Sequence, residues 1–200
     1  MWPSAKKMRP VVIAPVLTTE RLSLRPGRES DYDQWKIVRS LNQNYLKPFE
    51  PAWPSQSLSP DFFRRRVARL SKEWTDDKTY AFLIFKDGYL IGGINLNGVM
   101  RGAAQSATFG YWLDELSQGN GYMAEAAGAV LKYAFTTLKL ERVNAATLVH
   151  NGRSRNMLLR LGFEEEGFAR SYLQIEGRRQ DHVLYGLNKD AWILRAAAHA

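Results

Sequence analysis

Cysteine is absent from the 200-residue chain. Its absence excludes disulfide bonds, thiolate metal sites and a cysteine nucleophile, and it fits a protein of the cytoplasm. Histidine is also scarce, and the three histidines, His150, His182 and His199, are too scattered to predict a metal site. No apolar run approaches the roughly 18 residues that a membrane span requires, so we expect no association with a membrane.

Acidic residues are fewer than basic ones: the chain has 20 Asp and Glu residues against 28 Lys and Arg residues, which gives a net charge of +8. A basic surface attracts polyanions, of which nucleic acid is the most common. The positive residues are dispersed, however, with only short clusters such as Arg64–Arg66 and Arg178–Arg179. A cofactor that carries several phosphates, or contact with a ribosome, would suit this charge equally well.

Hydrophobic periodicity predicts alternating strands and helices in one domain with a substantial core. The segment Lys47–Pro60 holds four prolines and is predicted to be an ordered loop. We predict strands at Leu22–Arg25, Tyr80–Phe85, Tyr89–Leu96, Ala107–Leu113, Arg142–Leu148, Glu164–Ile175 and Arg178–Leu187, and helices at Ser30–Leu41, from Pro60, at Met123–Leu138 and at Asn151–Leu161. This order predicts an α+β fold with a mixed sheet.

A glycine loop, Gln118–Met123, lies between a predicted strand and a predicted helix. Free backbone N–H groups and the positive helix end make such a loop an anion site, although it is also an ordinary tight connection. The loop fits the dinucleotide pattern G-x-G-x-x-A, but it lies mid-chain and the next strand, Arg142–Leu148, is not followed by an acid that could hold a ribose. The lysine and Ser/Thr of a Walker loop are absent too.

Several segments together resemble a known family. The loop follows the pattern Q-x-x-G-x-(G/A), with Met123 in place of the final small residue. The other matching segments are Leu17–Leu22, Asn151, Ser154, Leu161-Gly162-Phe163 and Glu166-Gly167. The chain thus resembles the GCN5-related N-acetyltransferases, the GNAT superfamily, in which this loop binds the diphosphate of coenzyme A.

The resemblance implies the organisation of the chain and its cofactor. We expect a flexible arm over residues 1–16, an acetyltransferase domain over residues 17–188 and a C-terminal helix or tail over residues 189–200. The GNAT-type sheet would be mostly antiparallel, twisted and flanked by helices, and acetyl-CoA would be the co-substrate, without a metal. Loop residues Gln118, Gly119, Asn120, Gly121, Tyr122 and Met123 would bind it, and the Met123 side chain must point away from the diphosphate.

Four further segments resemble the ribosomal-protein-alanine N-acetyltransferase (RimJ-like) branch: Leu46–Pro51, Val99–Gly102, Tyr172–Gly177 and Arg179–Leu184. This narrower resemblance implies that the acceptor is a protein N-terminal amine, with Ala or Ser first, in a ribosomal protein. Two alternatives stay open: acetylation of a small amine, such as an antibiotic or a polyamine, and a non-catalytic module that binds RNA or the ribosome. The sequence assigns no oligomeric state.

The predicted chemistry is direct attack of a neutral amine on the thioester, since a chain without cysteine cannot form an acetyl-cysteine. A backbone N–H near Trp112 or Leu113 would stabilise the thioester oxygen. The resemblance implies that Ser154 protonates the departing thiolate while Asn151 holds the pantetheine arm, although both residues also suit a helix start. Glu50 is the candidate general base, or else a surface carboxylate, and His182 is expected to be a core or supporting residue rather than the base.

Overall fold

The computed structural model of the chain describes residues 15–197, except for the side chain at position 196. Residues 1–14 of the predicted N-terminal arm and residues 198–200 of the predicted tail lie outside the described part. The helices and strands are β1 Leu17–Thr18, β2 Ser23–Arg25, α1 Tyr32–Leu41, α2 Gln43–Leu46, α3 Pro60–Thr75, β3 Thr79–Lys86, β4 Tyr89–Met100, β5 Ser106–Leu113, α4 Tyr122–Lys132, β6 Arg142–Leu148, α5 Gly152–Arg160, β7 Glu164–Ile175, β8 Arg178–Asn188 and α6 Lys189–Ala197.

The strands form one eight-stranded sheet in the order β1-β2-β3-β4-β5-β6-β8-β7. Only β5 and β6 pair in parallel; the other neighbours in this sheet are antiparallel. The predicted α+β fold with a mixed, mostly antiparallel sheet is therefore confirmed. Strand β1 and helix α2 were not predicted, because segments of two and four residues are too short to show a hydrophobic period.

Successive side chains of the strands point to opposite faces of the sheet and belong to two separate hydrophobic cores. On one face Phe82 and Ile84 of β3 pack with α4 and α5, and on the other Leu83 and Phe85 pack with Trp35 of α1 and Phe63 of α3. The alternation follows from the two-residue period of a strand. The sheet therefore separates a face covered by α4 and α5 from a face covered by α1 and α3. Among the described residues, no helix has the length and apolar character needed to cross a membrane.

Helix α4 differs from its prediction in one respect. The periodic apolar positions predicted a helix through Leu138, but the α-helical part ends at Lys132 and a π-helical turn, Tyr133–Thr137, follows. In this turn the N–H of Leu138 donates to the carbonyl of Tyr133 at 3.0 Å. The wider turn keeps Ala134 and Phe135 buried, so the hydrophobic pattern fits the core although the hydrogen-bond ladder changes.

A buried asparagine joins the end of α1 to the turn that follows β5. Asn42 is 2% exposed, and its Nδ2 donates to the carbonyl of Val38 at 2.8 Å and to Oδ1 of Asp114 at 2.7 Å. Its Oδ1 accepts from the N–H of Glu115 at 2.7 Å. Because Glu115 begins the short 3-10 turn that leads into the glycine loop, Asn42 fixes the start of that loop.

Replacing the Asn42 side chain should lower the stability of the protein. We expect Asn42→Ala to lower the free energy of unfolding by about 1–3 kcal/mol, because it leaves the Glu115 N–H and a carboxylate oxygen of Asp114 without their buried partner. The exposed neighbour Asn44 provides the control, since Asn44→Ala should change stability by about 0.5 kcal/mol or less. Urea unfolding of both variants measures the difference, and equal losses would contradict the structural role of Asn42.

Candidate active site

A gap opens in the sheet between its two parallel strands. Strands β5 and β6 pair only from Ser106 with Arg142 to Thr108 with Asn144. Beyond this point β5 stays paired with β4, and β6 stays paired with β8. The sheet thus splays along the second half of β5 and leaves that edge of β5 open.

The open edge presents backbone donors from alternate residues. The N–H of Asp114 donates to the carbonyl of Ile91 on β4 at 2.8 Å. Since backbone groups alternate between the two edges of a strand, the N–H of Trp112 also faces β4, whereas those of Tyr111 and Leu113 face the gap. Trp112 and Leu113 were the two predicted positions for the N–H that donates to the thioester oxygen. Because only the Leu113 N–H faces the gap, the structure favours Leu113.

The glycine loop takes a conformation that needs its glycines. Gly119 and Gly121 have φ angles of +76° and +79°, in the left-handed region where a side chain is strained. Gly121 directly precedes α4. The first intrahelical bond that α4 accepts there comes from the N–H of Glu125, which donates to the carbonyl of Gly121 at 3.0 Å.

Three backbone donors at the start of α4 are consequently available to a ligand. The N–H groups of Tyr122, Met123 and Ala124 precede the first helical bond, and no described side chain caps this end. The Met123 side chain is 8% exposed and packs in the core, although Met123 also borders the cleft. The donors and the positive end of the helix dipole together suit a diphosphate.

The remaining loop side chains shape the loop. The Asn120 Nδ2 folds back on the carbonyls of Ser117 and Gln118, at 3.3 and 3.0 Å. The Gln118 amide donates to the Tyr45 hydroxyl and accepts from the Arg153 guanidinium. Gln118 therefore links the loop to α2 on one side and to α5 on the other.

A second anchor comes from the N-terminal residues of the domain. The Glu125 carboxylate accepts from Thr19 Oγ1 at 2.6 Å, from the Arg21 N–H at 3.0 Å and from Arg21 Nε at 2.7 Å. Burial alone would raise the pKa of Glu125, but the bonds from Thr19 and Arg21 outweigh it and lower the pKa. Arg21 also donates to the Asn120 carbonyl at 3.1 Å and lies 4.8 Å from the centre of the Tyr122 ring, so it holds the loop against the first turn of α4.

Helix α5 brings Asn151 and Ser154 to the gap. The Asn151 Oδ1 accepts from the Ser154 N–H at 3.1 Å, so Asn151 caps the helix. The Ser154 hydroxyl is not the cap; its Oγ lies 2.5 Å from the Tyr111 hydroxyl across the splay. Burial raises the pKa of Tyr111 to about 12 despite the bond to Ser154, which lowers it. The phenol therefore keeps its proton at neutral pH, and the two hydroxyls form a proton-carrying pair.

Glu50 lies on the opposite side of the cleft and is held in place. Its carboxylate accepts from Arg39 at 2.8 and 2.5 Å and from Trp53 Nε1 at 2.7 Å. The Arg39 guanidinium in turn lies 4.1 Å from the Trp53 ring and 4.9 Å from the Trp112 ring. With its side chain only 20% exposed, Glu50 is a positioned carboxylate rather than a surface one.

His182 is buried, as expected if it is a core residue rather than the base. It is 2% exposed, its Nδ1 lies 2.9 Å from the carbonyl of Gln180, and its ring meets the Tyr172 ring edge-on. The neighbouring Asp181 accepts from the Ser171 N–H on the other side of the strand. His182 does not line the cleft.

One cleft of about 890 Å³ collects these features. Its lining includes Glu50, Tyr111, Trp112, Leu113, Gln118, Gly119, Gly121, Tyr122, Met123, Asn151 and Ser154. The residues fit acetyl-CoA: backbone donors stand at one end for a diphosphate, an open strand edge follows for an extended arm, and the hydroxyl pair comes next. Among residues 15–197, no group of three or more His, Asp or Glu side chains could hold a metal ion.

Sequence reasoning missed the partners that orient the predicted residues. Tyr111 has the sequence character of a packing residue with a polar end, Arg21 was noted only as part of the segment Leu17–Leu22, and Tyr45 and Arg153 carried no signal of their own. Tyr111 and Ser154 are 43 positions apart and Arg21 and Glu125 are 104 apart, so no local pattern could pair them.

Comparison with known proteins gives consistent matches. The acetyltransferase (GNAT) domain profile matches residues 21–164. The chain is 34% identical over 180 residues to ribosomal protein uS5-alanine N-acetyltransferase of Escherichia coli K12, covering 88% of this chain and 92% of the relative. It is 31% identical over 143 residues to the ribosomal-protein-serine acetyltransferase of the same organism, covering 65% and 79%.

Solved structures agree with the fold. Mycobacterium smegmatis RimJ, in complex with CoA-disulfide, superposes with a TM-score of 0.83 at 29% identity and 92% coverage of both chains. The ribosomal-protein-S5-alanine acetyltransferase of Vibrio fischeri also gives 0.83, at 27% identity and coverage of 89% and 98%. From the matched domain, the extent of the identity and the geometry of the cleft, we conclude that the chain belongs to the GNAT acetyltransferase family and is an N-acetyltransferase that uses acetyl-CoA.

Proposed function

We propose that the protein acetylates the N-terminal α-amino group of a ribosomal protein that begins with Ala or Ser. The names of the relatives support the acceptor, since the two E. coli proteins are described as acting on alanine and serine of ribosomal proteins. A net charge of +8 also favours an approach to the ribosome, whose RNA is anionic. An enzyme with such an acceptor would work in the cytoplasm.

The glycine loop would hold the diphosphate of the cofactor. The N–H groups at the start of α4 supply the donors, and Gly119 and Gly121 allow the backbone to approach the phosphates closely. The loop side chains Gln118 and Asn120 keep this shape through their own hydrogen bonds. Asn151 would border the pantetheine arm where α5 meets the gap.

Bound acetyl-CoA would supply a thioester whose acetyl group passes directly to the acceptor amine. The N–H of Leu113 would donate to the thioester oxygen as its charge grows. The Ser154 hydroxyl would protonate the departing sulfur, and Tyr111 would replace the proton on Ser154 through the 2.5 Å contact between the two hydroxyls. Tyr111 would regain its proton from water, which would in turn take up the proton that the acceptor amine loses.

Glu50 would be the general base, on the opposite side of the cleft, and would accept the proton that the acceptor amine loses before water takes it up. Its Oε1 accepts one hydrogen bond from Arg39, whereas its Oε2 accepts two, from Arg39 and Trp53. A carboxylate oxygen can accept more than one bond, so Oε1 could receive an amine N–H directly or through a water molecule. The ion pair with Arg39 would keep this oxygen in place during turnover.

The observation that carries the proposal is the meeting of the α4 donors and the Ser154–Tyr111 pair in one cleft. The direct test combines acetyl-CoA with synthetic peptides that begin with Ala or Ser and, separately, with polyamines. Mass spectrometry should detect one acetyl group on the N-terminal amine of the peptides. Acetylation of polyamines without acetylation of any peptide would contradict the proposed acceptor.

The hydroxyl pair generates a kinetic prediction. We expect Ser154→Ala to lower kcat by about 100-fold, because proton transfer by a positioned group contributes that order of magnitude. Tyr111→Phe should lower kcat by a smaller factor, and the double variant should be no slower than Ser154→Ala, since Tyr111 acts through Ser154. Steady-state kinetics at saturating substrates measures all three variants. Multiplicative losses in the double variant would mean that the two hydroxyls act independently.

The loop generates a binding prediction. We expect Gly121→Val to abolish the rise in melting temperature that acetyl-CoA causes, because a β-branched residue resists a φ of +79° and the loop must change shape. Gly88→Val is the matched control: Gly88 has a φ of +83° in the β3–β4 turn, with open space around it and no place in the cleft. The control should lose similar stability yet retain the acetyl-CoA response, and loss of the response in both variants would attribute the effect to general strain.

A further inference from the structure

The three consecutive arginines of α3 have different surroundings. Arg64 forms surface ion pairs with Asp61 at 2.8 Å and with Glu29 at 3.6 Å. Arg65 is exposed to solvent, whereas Arg66 is half-buried. Arg66 is the member of this basic cluster that lies against the sheet.

Arg66 lines a second cavity, distinct from the cofactor cleft. The cavity has a volume of about 160 Å³ and lies between α3 and strands β3 and β4. Its walls include Phe63 and Leu70 of α3, Asn95 of β4 and Trp112 of β5. The site is mostly apolar, with few polar groups, as is typical of small ligand sites.

The cavity adjoins the end of the cleft where the transfer would occur. Trp112 lines both spaces, and its neighbours Tyr111 and Leu113 turn their side chains to the opposite face of the sheet. An acceptor that enters on the α3 face would therefore meet Trp112 first. The cavity lies beside that route rather than beside the glycine loop.

The charges around the cavity leave Arg66 in excess. Arg39 is paired with Glu50, and Arg69 is paired with Glu73. Within residues 15–197 Arg66 forms no hydrogen bond and no ion pair. Burial, followed by repulsion from Arg39 and Arg69, lowers the pKa of Arg66 to about 10, so the guanidinium is still charged at neutral pH.

Glu50 and Glu73 attract the Arg66 guanidinium from a distance, but each is already paired with another arginine. A half-buried charge without a direct ion pair is unfavourable unless a ligand neutralises it. The Asn95 side chain, which also makes no hydrogen bond among the described residues, adds a second polar group to the same cavity. A carboxylate would satisfy both, because a planar guanidinium binds it through two parallel hydrogen bonds. The small volume and the single cation favour a side-chain carboxylate over a phosphate.

We propose that this cavity binds an acidic side chain of the acceptor, on the second, third or fourth residue of its chain. The inference rests on the proposed function, since it names a feature of the same N-terminal segment. An extended chain advances about 3.3 Å per residue, so these positions lie within about 10 Å of the amine. Arg66 would thus select the acceptor, while the cofactor residues would perform the transfer.

Paired peptides test the inference. Each pair begins with Ala and carries Glu or Gln at residue two, three or four, with an otherwise identical sequence. For the unmodified enzyme we expect kcat/KM to be about 10-fold or more higher for the Glu peptide in at least one pair, the range of a charge-assisted hydrogen bond. Arg66→Gln should bring this ratio close to one, and Arg66→Lys should retain part of it.

Arg65→Gln is the matched control, because the neighbouring arginine is exposed and lines neither cavity. It should keep the ratio of the unmodified enzyme. The melting temperature and its rise with acetyl-CoA show that each variant is folded. A ratio near one for the unmodified enzyme in every pair, or a ratio that survives Arg66→Gln, would overturn the inference while peptide acetylation still supports the proposed function.

Calorimetric titration of the CoA-bound protein with the same peptides separates the two proposals. If acetyl-CoA binds but no peptide is acetylated, the proposed function fails. The cavity would then still be supported as a binding site if a Glu peptide binds more tightly than its Gln counterpart and if Arg66→Gln removes this difference. Equal binding of both twins would overturn the cavity as well.

Discussion

The active site depends on the early end of the parallel pairing between β5 and β6. Pairing stops at Thr108 and Asn144, although both strands continue. Backbone groups left unpaired in a sheet are unfavourable unless another partner satisfies them. The antiparallel partners β4 and β8 hold each strand from its other side, and we propose that the open edge of β5 is satisfied by a bound ligand.

Hydrogen bonds between distant segments keep the open region rigid. Asn42 fixes the turn after β5, Glu125 ties the start of α4 to Thr19 and Arg21, and Gln118 bridges α2 and α5. A glycine loop alone would be free to take many conformations. These polar contacts select the one in which the N–H groups of α4 face the cleft, so the site is arranged before a ligand arrives.

The sequence predicted the helices and strands better than it predicted the contacts between side chains. Strand β6 has the bounds that its apolar pattern predicted, and the glycine loop lies between β5 and α4 as expected. The pattern could not show the π-helical turn after Lys132, because that turn keeps the same residues buried and changes only the hydrogen bonds.

Side-chain partners were beyond a local pattern for a physical reason. The contact between Tyr111 and Ser154 exists only because β5 and α5 meet across the splay, and that meeting depends on the whole sheet. The same holds for Glu50, whose sequence context predicted an ordered loop but gave no sign of its partners Arg39 and Trp53. Three adjacent arginines on one helix likewise do not reveal which of them faces the sheet.

The two faces of the sheet carry different parts of the proposed site. The face covered by α4 and α5 carries the glycine loop, Asn151 and the hydroxyl pair, while the face covered by α1 and α3 carries Arg39 and Arg66. Strand β5 joins them, since Tyr111 and Trp112 are consecutive residues that point to opposite faces. A crystal structure of the protein with coenzyme A tests this arrangement most directly. We predict that the diphosphate accepts hydrogen bonds from the N–H groups at the start of α4 and that the sulfur lies within hydrogen-bond distance of Ser154 Oγ; a sulfur on the far side of the sheet, or a diphosphate away from the loop, would contradict the account.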